Sequence, residues 1–430
     1  MVGLVNSDIR TNGQFRRAAG DFSRTELTSG SDSMVSTDGD KLRHRCSVNK
    51  RRLIPGVLVI AIGVMIAFRG NVTRAEDRTF ESSSRLTLGT DVNLSASVRI
   101  ADIDRDNDLD VILGNGRHWP QQNFLLINQG RARFNIQRRL GEDRCTTYAA
   151  EVADLDGDGD LDIAVGNDMA PNRVFLNDGS GRFQPGAEFG EVSSVRSLAL
   201  VDIDRDQDVD ILATCRGRQN QIYLNDGTGR FGAGRPFGDR GDSTIDVAVA
   251  DMNRDGHLDL ILANRDGQQN YLLLNDGRTN FERQVPFGSG SDQTRAVAVA
   301  DLNGDGNSDV VAGIIGEANA VYPGDGKGNF GAAVKFGRED GQTFALVVAD
   351  LNNDGNPDLV AGNVEQENAV FFNLGDGRTY REVRFGDRSH ATYGLDAGDL
   401  NGDGFLDIAV ANSGSRNFVF LNRPLKRTGE

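Results

Sequence analysis

The sequence predicts an all-β fold: a seven-bladed β-propeller of four-stranded blades, its ring closed by an N-terminal outer strand. Three observations carry that expectation. One pattern recurs seven times at nearly constant spacing. Each copy contains four short strand-like runs. The last copy lacks its outer run, and a spare one sits near the N-terminus.

The recurring pattern is a small-apolar run, an Asp-x-Asp/Asn-x-Asp loop, an Asp four residues later, and a second apolar run. The loops begin at Asp102, Asp154, Asp202, Asp251, Asp301, Asp350 and Asp399, spaced by 52, 48, 49, 50, 49 and 49 residues. The inner strand precedes the loop, as in Asp246-Val-Ala-Val-Ala-Asp251. Its alternation of small and larger apolar residues suits a crowded position near an axis. The second strand follows the loop, as in Leu258-Asp-Leu-Ile-Leu-Ala263, and the third follows a polar connection, as in Asn270-Tyr-Leu-Leu-Leu-Asn275. An Asn-Asp-Gly turn then leads to an outer strand ending in Phe-Gly, as from Phe231 to Gly238. Asn and Gly accept the positive φ of tight hairpins, so that turn is a strong hairpin signal. No segment shows a helical period. Four antiparallel strands repeated at this period describe a propeller.

The ends sharpen the picture. The seventh copy stops after its third strand, Phe418-Val-Phe-Leu-Asn422, with no Asn-Asp-Gly turn and no Phe-Gly segment. The orphan segment Phe80-Glu-Ser-Ser-Ser-Arg-Leu-Thr-Leu-Gly89 has the missing character. Residues 80–89 are therefore expected to supply the outer strand of the last blade and to cover edges that an open array would expose.

The chain divides into a disordered basic and polar region at 1–52, a signal peptide or membrane anchor at 53–75, the propeller at 78–422 and a tail at 423–430. Lys50, Arg51 and Arg52 precede an apolar run of 16 residues from Leu53 to Phe68. As a helix it would span about 24 Å at ~1.5 Å per residue, short of a ~30 Å hydrocarbon core. It reads as a secretory signal with Thr73-Arg74-Ala75 at the cleavage site, or as an uncleaved anchor. Met34 is an alternative start. Either way, the residues after about 76 face a calcium-rich, non-cytosolic compartment. The formal net charge of −16 argues against nucleic-acid binding, which needs a basic footprint. Three cysteines, Cys46, Cys145 and Cys215, make no disulfide framework and no zinc spacing. Whether Cys145 and Cys215 pair is left open.

The loops carry the chemistry. The first offers Asp102, Asp104, Asp106, Asp108 and Asp110; the second Asp154, Asp156, Asp158, Asp160 and Asp162; the third Asp202, Asp204, Asp206, Asp208 and Asp210. The last four place Asn at position three: Asp251, Asn253, Asp255, His257 and Asp259; Asp301, Asn303, Asp305, Asn307 and Asp309; Asp350, Asn352, Asp354, Asn356 and Asp358; Asp399, Asn401, Asp403, Phe405 and Asp407. Side chains at positions 1, 3, 5 and 9 and the carbonyl at position 7 offer hard oxygen ligands. A flexible oxygen cage of roughly seven ligands selects Ca²⁺ over Mg²⁺, zinc or copper. Gly at position 6 permits the sharp turn. Asn107 and Gln207 stand there in the first and third loops, and the third is the weaker case. Asp-rich turns also form without metal, but seven in register argue for one. Seven divalent ions would take the net charge of −16 to about −2.

These loops, with their terminal Phe-Gly segments, resemble the FG-GAP or VCBS repeats of integrin α-chain propellers and of many exported bacterial proteins. The resemblance covers residues 78–422. It implies Ca²⁺, up to seven ions, held between the inner and second strands of each blade. It says little about function.

In a propeller the metal loops share one face with the third-to-outer turns. The other connections share the opposite face, which is expected to receive ligands. There lie His118 and Trp119, His390 and Tyr393, and the strand-starting residues Tyr148, Arg196 and Arg295. Aromatic and Arg groups suit recognition of peptides or sugars. Seven Asn residues preceding the third strands (Asn123, Asn172, Asn220, Asn270, Asn319, Asn368 and Asn417) read as local turn bonds, or less simply as a ring of ligand-binding amides. Arg240-Gly241-Asp242 spells an adhesion tripeptide, but chance explains it. The sequence thus points to a non-enzymatic, calcium-binding propeller, exported or tethered by its N-terminal segment, serving as a protein- or carbohydrate-binding scaffold. The alternatives are a carbohydrate-active lyase or dehydratase using His118, His390 and Tyr393, and a purely structural envelope protein.

Overall fold

The computed structural model describes residues 77–425. The expectations for residues 1–52 and 53–75, and most of the tail at 423–430, lie outside the described residues. Among the described residues there is no helix; they form repeated four-stranded antiparallel sheets in the manner of a β-propeller. The fourth repeat shows the plan: inner strand Thr244–Ala250, second strand Asp259–Asn264, third strand Asn270–Leu274 and outer strand Arg283–Phe287. The second strands are continuous apolar runs because both faces are covered; every residue of Asp259–Asn264 is buried.

The apolar core lies between sheets rather than within them. Met252, Ile261 and Leu272 of the fourth repeat pack with Val297, Val310 and Tyr322 of the fifth. Equivalent clusters join the other consecutive repeats. One of them joins Leu400, Ala409 and Val419 of the last repeat to Val98, Val111 and Leu126 of the first. The Phe-Gly segments gain a physical meaning here. Phe287 at the end of one outer strand packs edge-on against Tyr322 of the next repeat, with ring centroids 5.3 Å apart. Phe385 meets Phe420 in the same way at 5.0 Å. The glycine that follows must stay small. At Gly190, whose φ is +68°, an added Cβ would stand 2.2 Å from the Tyr223 hydroxyl.

Two strands serve two repeats each. Phe183–Val201 pairs first with Asn172–Asn177 as an outer strand, then with Asp210–Cys215 as the inner strand of the third repeat. Thr87–Ala101 does the same for the last and first repeats: Thr87 and Leu88 lie opposite Phe418 and Asn417, and residues 95–101 pair with Asp110–Asn115. Just ahead of it, Arg78–Glu81 pairs antiparallel with residues 421–424. Phe80 packs into the cluster of Phe372, Phe385 and Phe420. Each inner strand packs beside the next, and Thr392–Gly398 packs beside Thr87–Ala101. Cys145 and Cys215 are free thiols.

A buried polar relay stitches the repeats together. The seven Asn residues that precede the third strands each accept the backbone N–H that ends the second strand, at 2.7 to 3.0 Å. That is the local bond expected of them. Several also donate across the interface: Asn270 Nδ2 to Thr294 Oγ1 at 2.8 Å, and Asn417 Nδ2 to Ser95 Oγ at 2.9 Å. Ser95 donates onward to Asn115 Oδ1 at 2.6 Å.

Breaking this relay leaves buried groups unsatisfied. Asn270→Ala and Asn417→Ala should each destabilise the fold by about 1–3 kcal/mol in urea unfolding. Matching losses are expected, because the last-to-first interface carries the same bond as an interior one.

Candidate metal centres and the opposite face

Each Asp loop is wound around its own first carboxylate. One oxygen of Asp102, Asp154, Asp202, Asp251, Asp301, Asp350 or Asp399 accepts the backbone N–H of loop position six, at 2.8 to 3.0 Å. The aspartate at position five accepts the N–H of position seven in all seven loops, as Asp158 does from Asp160 at 2.8 Å. These bonds pin the side chains in a tight coil.

The aspartate at position nine is different. Asp110, Asp162, Asp210, Asp259, Asp309, Asp358 and Asp407 are buried to 1% exposure or less. In the second loop, Asp162 Oδ2 accepts Leu155 N–H at 3.0 Å and Oδ1 accepts Asn177 N–H at 2.8 Å. The carboxylate thus ties the loop to the third-to-outer turn. Burial pushes its pKa up, to about 6 for Asp162 and about 7 for Asp110, Asp210 and Asp358, against the lowering by those N–H bonds. The Asn of the Asn-Asp-Gly turn has a role the hairpin reading missed. In several repeats its amide donates to the preceding repeat's loop, as Asn177 Nδ2 does to Ile103 O at 2.8 Å; Asn128, which opens the Asn-Gln-Gly turn of the first repeat, donates likewise to Leu400 O at 2.9 Å.

The donor set fits a hard cation in the first three loops. Carboxylate oxygens of Asp102, Asp104 and Asp110, of Asp154, Asp156 and Asp162, and of Asp202, Asp204 and Asp206 gather within 4.8 Å of one another. Asp104 Oδ1 is buried and has no hydrogen-bond partner among the described residues. Burial and neighbouring carboxylates raise the pKa of Asp104, Asp156 and Asp204 alike. Like charges held this close repel unless a proton or a cation intervenes.

Two loop positions adopt left-handed backbone, not one. Position six does so in every loop, including Asn107 at φ 68° and Gln207 at φ 81°. Position four does so too, in Arg105, Gly157, Arg205, Arg254, Gly304, Asn353 and Gly402. The third loop keeps the common geometry at the expense of strain at Gln207. Position four also reaches the neighbouring loop: Asn353 Nδ2 donates to Gly404 O at 2.9 Å, and Arg105 and Arg254 bond to Gly159 O and Gly306 O.

The opposite face is built on bulges. Every inner strand slips register at its second residue, between residues such as Thr147 and Ala149 or Thr294 and Ala296. A bulge re-aims the side chain it carries. The bulged residues are Ala96, Tyr148, Arg196, Ile245, Arg295, Phe344 and Tyr393. All but Ile245 line one central cavity, together with Arg99, Glu151, Asp246 and other inner-strand residues. The expected residues Tyr148, Arg196, Arg295 and Tyr393 therefore come together. His118 joins them, its Nδ1 lying 3.2 Å from Tyr148 Oη, and burial lowers its pKa. Arg196 lies over the Tyr148 ring and pairs with Asp168 at 3.0 Å. Trp119 is 72% exposed and, like His118, is not among the lining residues. His390 is not among the lining residues; it stacks on Phe418 with centroids 5.4 Å apart. The sequence reading did not pick out Phe344, Arg99, Glu151 and Asp246; only their place on inner strands could have drawn attention to them.

Comparison with known proteins follows the same repeat. The model of a family described as FG-GAP-like repeat matches residues 154–213, 202–262, 251–312, 315–361 and 350–410. The first three matches each run from one Asp loop through the next, so they cross the interface between sheets. A crystal structure of BBS1N in complex with ARL6DN, soaked with mercury, is similar with TM-score 0.55 and 12% identity, covering 82% of this chain and 98% of that one. The lead-soaked form gives TM-score 0.52 and 11% identity over the same shares. No curated protein matches the chain in sequence.

Two outcomes follow from the loops. Gln207→Gly should raise stability by roughly 1 kcal/mol, since only the strained φ is relieved; a denaturant melt checks it. In chelator, protein stability should rise as pH falls from about 7.5 to 5. Asp110, Asp210 and Asp358 hold their protons up to about pH 7 when folded but release them near the ordinary range when unfolded. The stability gained by protonation is therefore lost again as pH rises through 6 to 7. Thermal melts across that window read the slope.

Proposed function

The chain belongs to the FG-GAP-like repeat family, and from that premise we propose that it is a closed, seven-bladed, calcium-stabilised propeller that presents the face opposite its metal loops to a protein or glycan partner. Closure is supported by the pairing of Arg78–Glu81 with the last repeat, by the Asn417–Ser95 bond and by the core cluster shared between the last and first repeats. Calcium is supported by the oxygen-only donor set and the buried, unpartnered Asp104 oxygen. Export or tethering is supported by the apolar run from Leu53 to Phe68 and by the calcium supply such a compartment offers.

One observation carries the binding reading: structural work and chemical variety are divided between the two faces. The loop face repeats one solution seven times. The bulged positions of the other face hold Ala, Tyr, Arg, Ile, Arg, Phe and Tyr, which no common structural role explains. The similar structure of BBS1N is of a complex with ARL6DN, and a propeller that docks a protein is a fitting analogy for this scaffold. The contact of His118 with Tyr148 favours one other reading, acid–base chemistry on a carbohydrate.

Two measurements test the proposal. Elemental analysis of the purified protein should find calcium, up to seven ions per chain, and Asp154→Ala should remove at most one. Partners captured from envelope extract should be lost on Trp119→Ala with the melting temperature unchanged, and weakened on Tyr148→Phe, which keeps the ring but removes the hydroxyl. Capture that ignores both substitutions contradicts the binding face. Loss of turnover in a folded His118→Ala variant would instead favour the enzyme.

A further inference from the structure

The cavity at the centre of the bulged face contains an imbalance that the scaffold does not need. Three arginines around it are satisfied. Arg99 makes two bonds to Glu151, at 2.5 and 2.6 Å. Arg196 pairs with Asp168. Arg117 donates to Tyr393 Oη at 2.8 Å and to Ser413 Oγ at 3.2 Å. Arg265 and Arg295 are not satisfied. Their guanidinium carbons lie 6.0 and 5.9 Å from the centre of the same Phe344 ring. Among the described residues neither guanidinium has a hydrogen-bond acceptor or an ion-paired carboxylate, and Arg265 Nε is buried without a partner. Burial pulls the Arg295 pKa down to about 10 even though the charge of Asp246 works to raise it, and Arg265 lowers it further. The nearest acid, Asp246, is already engaged by Ser197 Oγ at 2.8 Å and by the N–H groups of Val247 and Val297 at 3.0 and 3.1 Å.

Both side chains are half-buried beside one ring, and partly desolvated cations without acceptors carry a cost. In a chain of net charge −16 they also form a local positive spot. Such a spot suits an anion that completes the fork geometry of the guanidinium groups. Two facts narrow the anion. The cavity is only about 90 Å³, far below the ~300–1,000 Å³ of sites that enclose whole small molecules. It admits the tip of a side chain rather than a sugar ring. Glu151 and Asp246 line the same cavity, and Asp396 lies close enough to act on Glu151, which disfavours a doubly charged group over a singly charged one. We propose that the cavity lined by Arg295, Phe344 and Tyr393, with Arg265 beside the same Phe344 ring, receives the carboxylate of an Asp or Glu side chain presented by a partner protein. This rests on reading the bulged face as the binding face, and it names what that face recognises.

The test uses the full chain in calcium buffer and titrates N-acetyl-glutamate amide, N-acetyl-glutamine amide, glucuronate and inorganic phosphate by calorimetry. The glutamate amide should bind saturably, and the glutamine amide at least tenfold more weakly. Arg295→Gln and Arg265→Gln should each weaken the glutamate amide at least tenfold, while the exposed Arg218→Gln leaves it unchanged. Without probe, Arg295→Gln should melt no lower than the wild type, since it removes a partly desolvated cation that no acceptor bonds; a purely structural arginine would melt lower. Equal binding of the two amides, tighter binding of glucuronate or phosphate, or glutamate binding that survives both substitutions overturns the proposal. Partner capture that is lost on Trp119→Ala yet kept in Arg295→Gln and Arg265→Gln also overturns it, and leaves the binding face standing. Capture indifferent to all of these substitutions removes the face itself.

Discussion

The buried aspartate at the end of each loop is the constraint on which the rest depends. Its two oxygens hold two backbone segments that would otherwise have unpaired N–H groups, one in the loop and one in the third-to-outer turn. That double acceptance sets the loop's path and brings it against the neighbouring sheet, where the turn Asn bonds to the preceding loop's carbonyl. It also places a carboxylate out of water and beside other carboxylates. A fold that buries this group seven times needs a cation or a proton at each site. Calcium is the completion we propose for this backbone problem.

Much of this was legible in the sequence because it repeats. A loop with Asp at positions one, five and nine in every copy, and a Phe-Gly end in most, leaves little freedom for interpretation. The edge left uncovered on the last repeat was legible for a different reason: an exposed strand is a deficit, and a spare outer segment near residue 80 has no other use. The Asn before each third strand was legible only in part. Its local bond follows from its residue type, but its donation to Thr294 or Ser95 crosses an interface that only the packed sheets define. Position four of the loops was missed, although Gly157, Gly304 and Gly402 were a visible hint of its left-handed backbone.

The opposite face was the least legible part. Tyr148, Arg196, Arg295 and Tyr393 could be placed near the channel from strand order alone. That they occupy one equivalent, bulged position depends on register, and a slip of one residue leaves no mark in composition. Phe344 looks like an ordinary strand residue until that register is known. The charge balance around it needed distances as well: Arg99 and Arg265 are alike in sequence, yet one has its acid and the other does not. Repetition explains stability here, and departure from repetition points to recognition.

The central claim, that calcium completes the loops, is tested most directly by calorimetric melting of the full chain at pH 7.5, with excess calcium and with a calcium chelator. An ion bound only by the folded state raises stability by about 2.7 kcal/mol per site at a concentration 100-fold above its dissociation constant. The account predicts a much higher melting temperature in calcium, with magnesium giving little. An unchanged melting temperature, in protein shown to contain no calcium, would contradict it.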